Sequence, residues 1–174
     1  MLKIVALSML LTFSGSALAT QFSLQVAAGD AHGHIQQHFV YNADGCHGDD
    51  VSPAITWSNP PKGTAGYALT VFDTDARGGW WHWVVLDIPA TVHQLSEGAV
   101  LPPGAFALVN SFGHARWDGP CPPKADAPHH YVFTLYALDT PALGLPDSTS
   151  PAKARDVIEK HALGKARVTL TYGR

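Results

Sequence analysis

Five runs of β-branched and aromatic residues, each bounded by Pro or Gly, limit what this chain can fold into: Ala54 to Trp57, Tyr67 to Asp73, Trp81 to Ile88, Tyr131 to Leu138 and Arg167 to Tyr172. Such residues fit the pleated surface of a strand, and the turn-forming residues between them keep each segment short. The pattern predicts a mainly β protein built from antiparallel sheets. One helix is expected directly before the last strand. Ser150 is its N-cap, Pro151 suits its first turn, Ala154, Val157, Ile158 and Ala162 recur at helical spacing, and Gly164 reads as its stop. No internal repeat is present, and no linker is long enough to separate two domains.

The chain has 174 residues, 46% hydrophobic and 14% charged, the balance of one globular domain. A domain of this size buries roughly 70% of the surface its unfolded chain exposes, so it needs neither metal nor a disulfide ladder to fold. The net charge is -3 with no basic run, which argues against nucleic acid as a partner. The unusual feature is ten histidines, a surplus of groups that titrate near neutrality.

Residues 1–19 read as a signal peptide. Lys3 precedes the apolar run Ile4 to Phe13, and Ala17-Leu18-Ala19 fits a small-x-small cleavage site before Thr20. The apolar run is about half the ~20 residues needed to span a bilayer, so no stable membrane insertion is expected. The mature chain would run over 20–174 as a single domain, exported to a periplasm or secreted. In such an oxidising compartment Cys46 and Cys121 can pair, and both lie in Gly/Pro-rich loops. The alternative is two free thiols.

Strand alternation indicates which polar residues can converge. In Trp81-His82-Trp83-Val84-Val85-Leu86, His82 is expected on a face with Val84 and Leu86, and Trp81, Trp83 and Val85 on the other. In His129-His130-Tyr131, His129 and Tyr131 share a face and His130 points away. Asp73 ends a strand, and Asp75 follows in a tight turn. Any one of these could be a turn cap or a hydrogen-bonded core residue. Together, Asp73, Asp75, His82, His129 and Tyr131 describe a small polar pocket beside Gly and Pro loops.

These segments resemble a known family. Asp73-Thr74-Asp75-Ala76-Arg77 through Gly79-Trp80-Trp81-His82-Trp83-Val84-Val85 is similar to the D-P-D-A-P…W-W-H-W-V-V signature of the phosphatidylethanolamine-binding protein (PEBP) family, in its bacterial, Raf kinase inhibitor-like branch. Gly119-Pro120-Cys121-Pro122-Pro123…His129-His130-Tyr131-Val132-Phe133 resembles the second signature, G-P-C-P-P…H-R-Y-V-F. The resemblance spans Phe22 to Arg174. It implies a PEBP-like β-sandwich with a short C-terminal helix and an anion pocket lined by Asp73, Asp75, His82, His129 and Tyr131. Departures are Thr74 and Arg77 for the signature prolines, Ser111 in the usual N-D-F, Trp117 for a common tyrosine, and His130 for arginine. The last should matter little if its side chain faces away.

The resemblance implies a binding protein for small phosphorylated or otherwise anionic ligands, with inhibition of a protein target, a kinase or protease, as a second role. Carboxylates in an anion site have a physical use: one accepting from a ring nitrogen supports protonation of a histidine whose other nitrogen meets the ligand. For a zwitterionic head group, a carboxylate could instead meet the ammonium. No nucleophile elbow, Walker loop or H-E-x-x-H helix is present, and no cofactor is expected. The competing enzyme reading uses the same residues as the acid and base of a hydrolase, or holds a metal through His82, His129 and a carboxylate. His32, His34 and His38 read as a polar surface stretch, and no role is assigned to the other histidines.

Overall fold

The computed structural model describes residues 21–98 and 100–174, so the expected signal peptide and its cleavage point lie outside the described residues. In chain order the elements are β1 (Ser23–Val26), β2 (Ile55–Ser58), β3 (Gly66–Asp73), β4 (Trp80–Pro89), β5 (Gln94–Leu95), β6 (Phe106–Ala107), β7 (His129–Leu138), α1 (Pro151–His161) and β8 (Ala162–Tyr172). β1, β2 and β5 form a three-stranded antiparallel sheet, and a five-stranded antiparallel sheet runs β6-β4-β3-β7-β8. No helix among the described residues is long and apolar enough to cross a membrane.

β3 and β7 read as nearly continuous apolar runs because the large sheet is covered on both faces. On one face Leu69, Val71, Phe133 and Leu135 pack against Leu24, Ile55 and Trp57 of the small sheet. On the other, Ala68, Leu86, Tyr136 and Leu138 meet Ala154 and Ile158 of α1. β2 has only one covered face and alternates accordingly, with Ile55 and Trp57 buried and Thr56 and Ser58 exposed.

α1 begins as expected, with the Ser150 hydroxyl accepting from the Lys153 N–H at 3.4 Å and Pro151 in the first turn. Its end differs. Helix gives way to strand at Ala162, and Gly164 pairs with Ala137 inside β8 rather than stopping the helix. The glycine serves a close approach instead, since a Cβ there would lie 2.8 Å from the Pro61 ring.

His82 lies on the face opposite to the expected one. Val71 faces Trp83 and Phe72 faces Trp81, so His82 is the extra residue of a β-bulge in β4. The bulge cancels simple alternation. His82 turns to the face of Trp83 and Val85, with ring centroids 5.1 Å from Tyr131 and 6.5 Å from Trp117. Trp81 moves to the α1 face with Val84 and Leu86, under the Arg155 guanidinium at 5.4 Å.

Cys46 and Cys121 form a disulfide, Cα atoms 5.9 Å apart across a sequence separation of 75. It joins the loop before β2 to the loop before β7. Gly119 brings these segments together. A Cβ there would run into the Phe39 carbonyl oxygen, while its N–H donates to Asp50 Oδ1 at 2.7 Å.

Candidate functional site

The antiparallel register of β3 and β7 sets Asp73 opposite Tyr131, two residues from His129 on the same face. Asp73 is buried and fully occupied. Its Oδ1 accepts from the N–H groups of Asp75 at 2.9 Å and Ala76 at 3.2 Å, closing the turn after β3. Its Oδ2 accepts from His129 Nδ1 at 2.7 Å. Burial opposes charge on His129, but the hydrogen bond and field of Asp73, with help from Asp126 and Asp75, raise its pKa above the ordinary imidazole value. The other ring nitrogen, Nε2, lies 3.5 Å from Asp126 Oδ2.

His82 is held differently. Its Nδ1–H donates to the Asp118 carbonyl at 2.7 Å, and its own carbonyl accepts from Asn110 Nδ2 at 3.1 Å. The same Asn110 amide donates to Asp118 Oδ2 at 2.7 Å, so one buried asparagine fixes both residues. Burial pushes the pKa of His82 down, against the Asp118 carbonyl and the nearby aspartates. Tyr131 completes the group. Burial and the charge of Asp73 push its phenol far up, and its hydroxyl is buried with no hydrogen-bond partner among the described residues.

Asp75 Oδ2 accepts from both the backbone N–H and the ring Nδ1 of His130, at 2.7 and 3.0 Å. The backbone bond is the larger cause of its lowered pKa, with the ring adding to it. His130 therefore stands outside the cavity, as alternation predicted, yet anchors a residue that lines it.

All five residues, Asp73, Asp75, His82, His129 and Tyr131, line one cavity of about 820 Å³. Its wall also includes Asp44, Asp126, Arg77, Arg174, Trp80 and Phe112, of which only Arg77 was marked by the sequence. Arg174 donates through Nε to the Pro122 carbonyl at 2.6 Å and through a terminal nitrogen to the Gly45 carbonyl at 2.7 Å, lashing the chain end to both disulfide-linked loops. Asp126, three residues before His129, was the one of these with a readable signal, an acidic residue on the same loop. The remaining departures have structural places. Ser111 Oγ accepts from the Trp81 N–H at 2.9 Å, Thr74 is exposed outside the cavity, and Trp117 packs on Phe133 with its indole N–H toward the Phe39 carbonyl at 3.3 Å. Among the described residues no group of three or more His, Cys, Asp or Glu is arranged to hold a metal ion.

The profile of the phosphatidylethanolamine-binding protein family matches residues 27–173, including both signature segments. The chain belongs to this family. One PEBP-family relative, the UPF0098 protein YbcL of Escherichia coli K12, is 39% identical over 171 residues, covering 93% of this chain and 92% of YbcL. The crystal structure of Escherichia coli YbcL, described as a member of the mammalian PEBP family, aligns with a TM-score of 0.84 at 36% identity, over 89% of this chain and 99% of that one. A Mycobacterium tuberculosis relative, LppC, whose name marks it as a candidate lipoprotein, is 41% identical over 128 residues, covering 73% of this chain and 62% of LppC.

Proposed function

We propose that the protein binds small phosphorylated or otherwise anionic ligands in the 820 Å³ cavity and acts as a binding protein rather than an enzyme. The observation that carries this reading is the Asp73–His129 pair at 2.7 Å beside the unpartnered hydroxyl of Tyr131. A buried polar group without a partner is costly, and a ligand oxygen that accepts from Tyr131 removes that cost. His129 supplies positive charge where the ligand is negative, and Asp73 supports that charge without occupying Nε2. Arg77 and Arg174 add fixed cations at the wall.

Export remains part of the proposal, supported by the Cys46–Cys121 disulfide and by the name of LppC. Fractionation of the native host tests it, with the mature chain expected outside the cytoplasm.

Calorimetric titration with inorganic phosphate tests the binding function. His129→Ala should weaken binding by roughly ten- to hundredfold, the value of a lost charged hydrogen bond of about 1.5–3 kcal/mol. Prolonged incubation with a panel of phosphoesters and carboxylic esters, with and without divalent metal, should give no turnover. Turnover lost in both His82→Ala and His129→Ala would make the protein a hydrolase.

A further inference from the structure

We propose that the cavity selects a phosphate group that still carries one proton, a phosphomonoester in its monoanionic form, because His129 presents a donor to it and His82 presents an acceptor. This rests on the binding function above and names the ligand chemistry that the site takes.

The hydrogen bonds set the two roles. A backbone carbonyl has no proton to give, so the 2.7 Å contact between His82 Nδ1 and the Asp118 carbonyl places the proton on Nδ1. In a neutral imidazole the other nitrogen is then a bare lone pair. Burial of the ring among Tyr131, Phe112 and Trp117, with only its edge at the cavity, resists a second proton. Behind it Asp118 is already engaged by Asn110, His114 and Arg116. His129 is the opposite case: its Nδ1–H donates to the Asp73 carboxylate and its cationic form is favoured, so Nε2–H, whose nearest carboxylate is Asp126 at 3.5 Å, is a donor that a ligand oxygen can take.

A fully ionised phosphate oxygen placed against the His82 lone pair is repelled, whereas a P–O–H group donates to it. The remaining charged groups at the cavity work the same way. Asp44, Asp73, Asp75 and Asp126 outnumber Arg77 and Arg174, which favours a monoanion over a dianion. A phosphodiester has the single charge but no proton to offer. A monoester has both at mildly acidic pH, since its second ionisation lies at about pH 6.

Methyl phosphate and dimethyl phosphate form a charge-matched pair for the test. Titrated into the intact protein at about pH 5.5, methyl phosphate should bind at least about tenfold more tightly, and the ratio should shrink as pH rises through its second ionisation. Nitrogen NMR of the wild-type protein should show His82 Nε2 unprotonated when free and accepting a hydrogen bond with methyl phosphate. His82→Phe, which keeps a buried ring, should bring the two affinities close together. Phosphatidylcholine vesicles containing either phosphatidic acid, a lipid monoester, or phosphatidylglycerol, a lipid diester, distinguish a membrane-borne ligand from a soluble one. Preference for the monoester in either arm supports the proposal. Equal binding of monoester and diester in both the soluble and the vesicle arm, or a doubly protonated His82 in the complex, overturns it while leaving the binding function standing. Silence in every arm overturns both.

Discussion

His129 Nδ1 stands 2.7 Å from Asp73 Oδ2 across the pairing of β3 and β7, and both side chains are buried. The contact joins strand ends 56 residues apart in sequence and ties the charge of one to the other. Asp73→Asn keeps the shape but removes the charge that holds the imidazole cationic. The pKa of His129 should then fall, and phosphate affinity should drop roughly tenfold or more, as expected for losing a charge-assisted contact of about 1.5–3 kcal/mol. Proton NMR of the imidazole and calorimetry read the two effects. An unchanged His129 titration would separate Asp73 from the charge of the site.

The two cavity histidines should give opposite pH dependences. His129 has a raised pKa in the folded protein, so its stabilising contribution is complete below the ordinary imidazole value of about 6.5 and is lost as pH rises through the folded value. His82 has a lowered pKa, so the unfolded chain takes up a proton that the buried ring refuses, and stability is lost as pH falls below about 6.5. Urea unfolding of wild type, His129→Gln and His82→Gln across mildly acidic to mildly alkaline pH should show each variant losing one of these limbs. Phosphate binding should weaken as pH rises through the His129 range.

The disulfide closes a long loop, and Arg174 is bonded to a carbonyl on each side of it. Replacing both cysteines by serine should lower stability by roughly 2–4 kcal/mol, read as a reduced urea midpoint with a steeper slope, because the unfolded chain without the cross-link exposes more surface. Two thiols titrating in denatured, unreduced wild-type protein would contradict the bond.

Gly119→Ala should be among the most damaging single substitutions in the loop that carries Cys121 into the cavity wall. The new methyl meets the backbone of Phe39 and Val40 rather than a movable side chain. Overpacking of this kind costs typically about 1–3 kcal/mol and sometimes more. A thermal midpoint within a degree of wild type would show that the 39–41 segment can yield.

The central strands were legible because burial on both faces writes an uninterrupted apolar run, and the start of α1 because Ser150 and Pro151 act locally. β5 and β6 have two residues each, too short for any periodicity to register. His82 was assigned the wrong face because a bulge is a property of two strands in register and leaves no mark in one of them. The grouping of Asp73 with His129 and Tyr131 depended only on strand phase and strand ends, and these three line one cavity with Asp75 and His82. Arg174 and Phe112 reach it through the course of loops, which sequence spacing does not encode. The Asp118 contact to His82 is made by a backbone carbonyl, an atom that every residue carries.

His130 tests how far its exposed contact with Asp75 matters to the cavity. Asp75 Oδ2 is held by two groups of the same residue, the backbone N–H at 2.7 Å and the ring at 3.0 Å. The backbone donor is the stronger cause of the lowered carboxyl pKa and survives any substitution of the side chain. The ring is about half exposed, where ion pairs are worth little. His130→Phe should therefore raise the Asp75 pKa only partway toward an ordinary carboxylate, change stability by less than about 0.5 kcal/mol and alter phosphate affinity less than about threefold. Asp75→Ala goes further, since it leaves the His130 N–H without its acceptor and loosens the turn that Asp73 closes. Carbon NMR of the Asp75 carboxyl in the His130 variant, alongside phosphate titrations of both variants, separates the contributions. Equal losses in the two would mean that the ring, not the backbone, holds Asp75 in place.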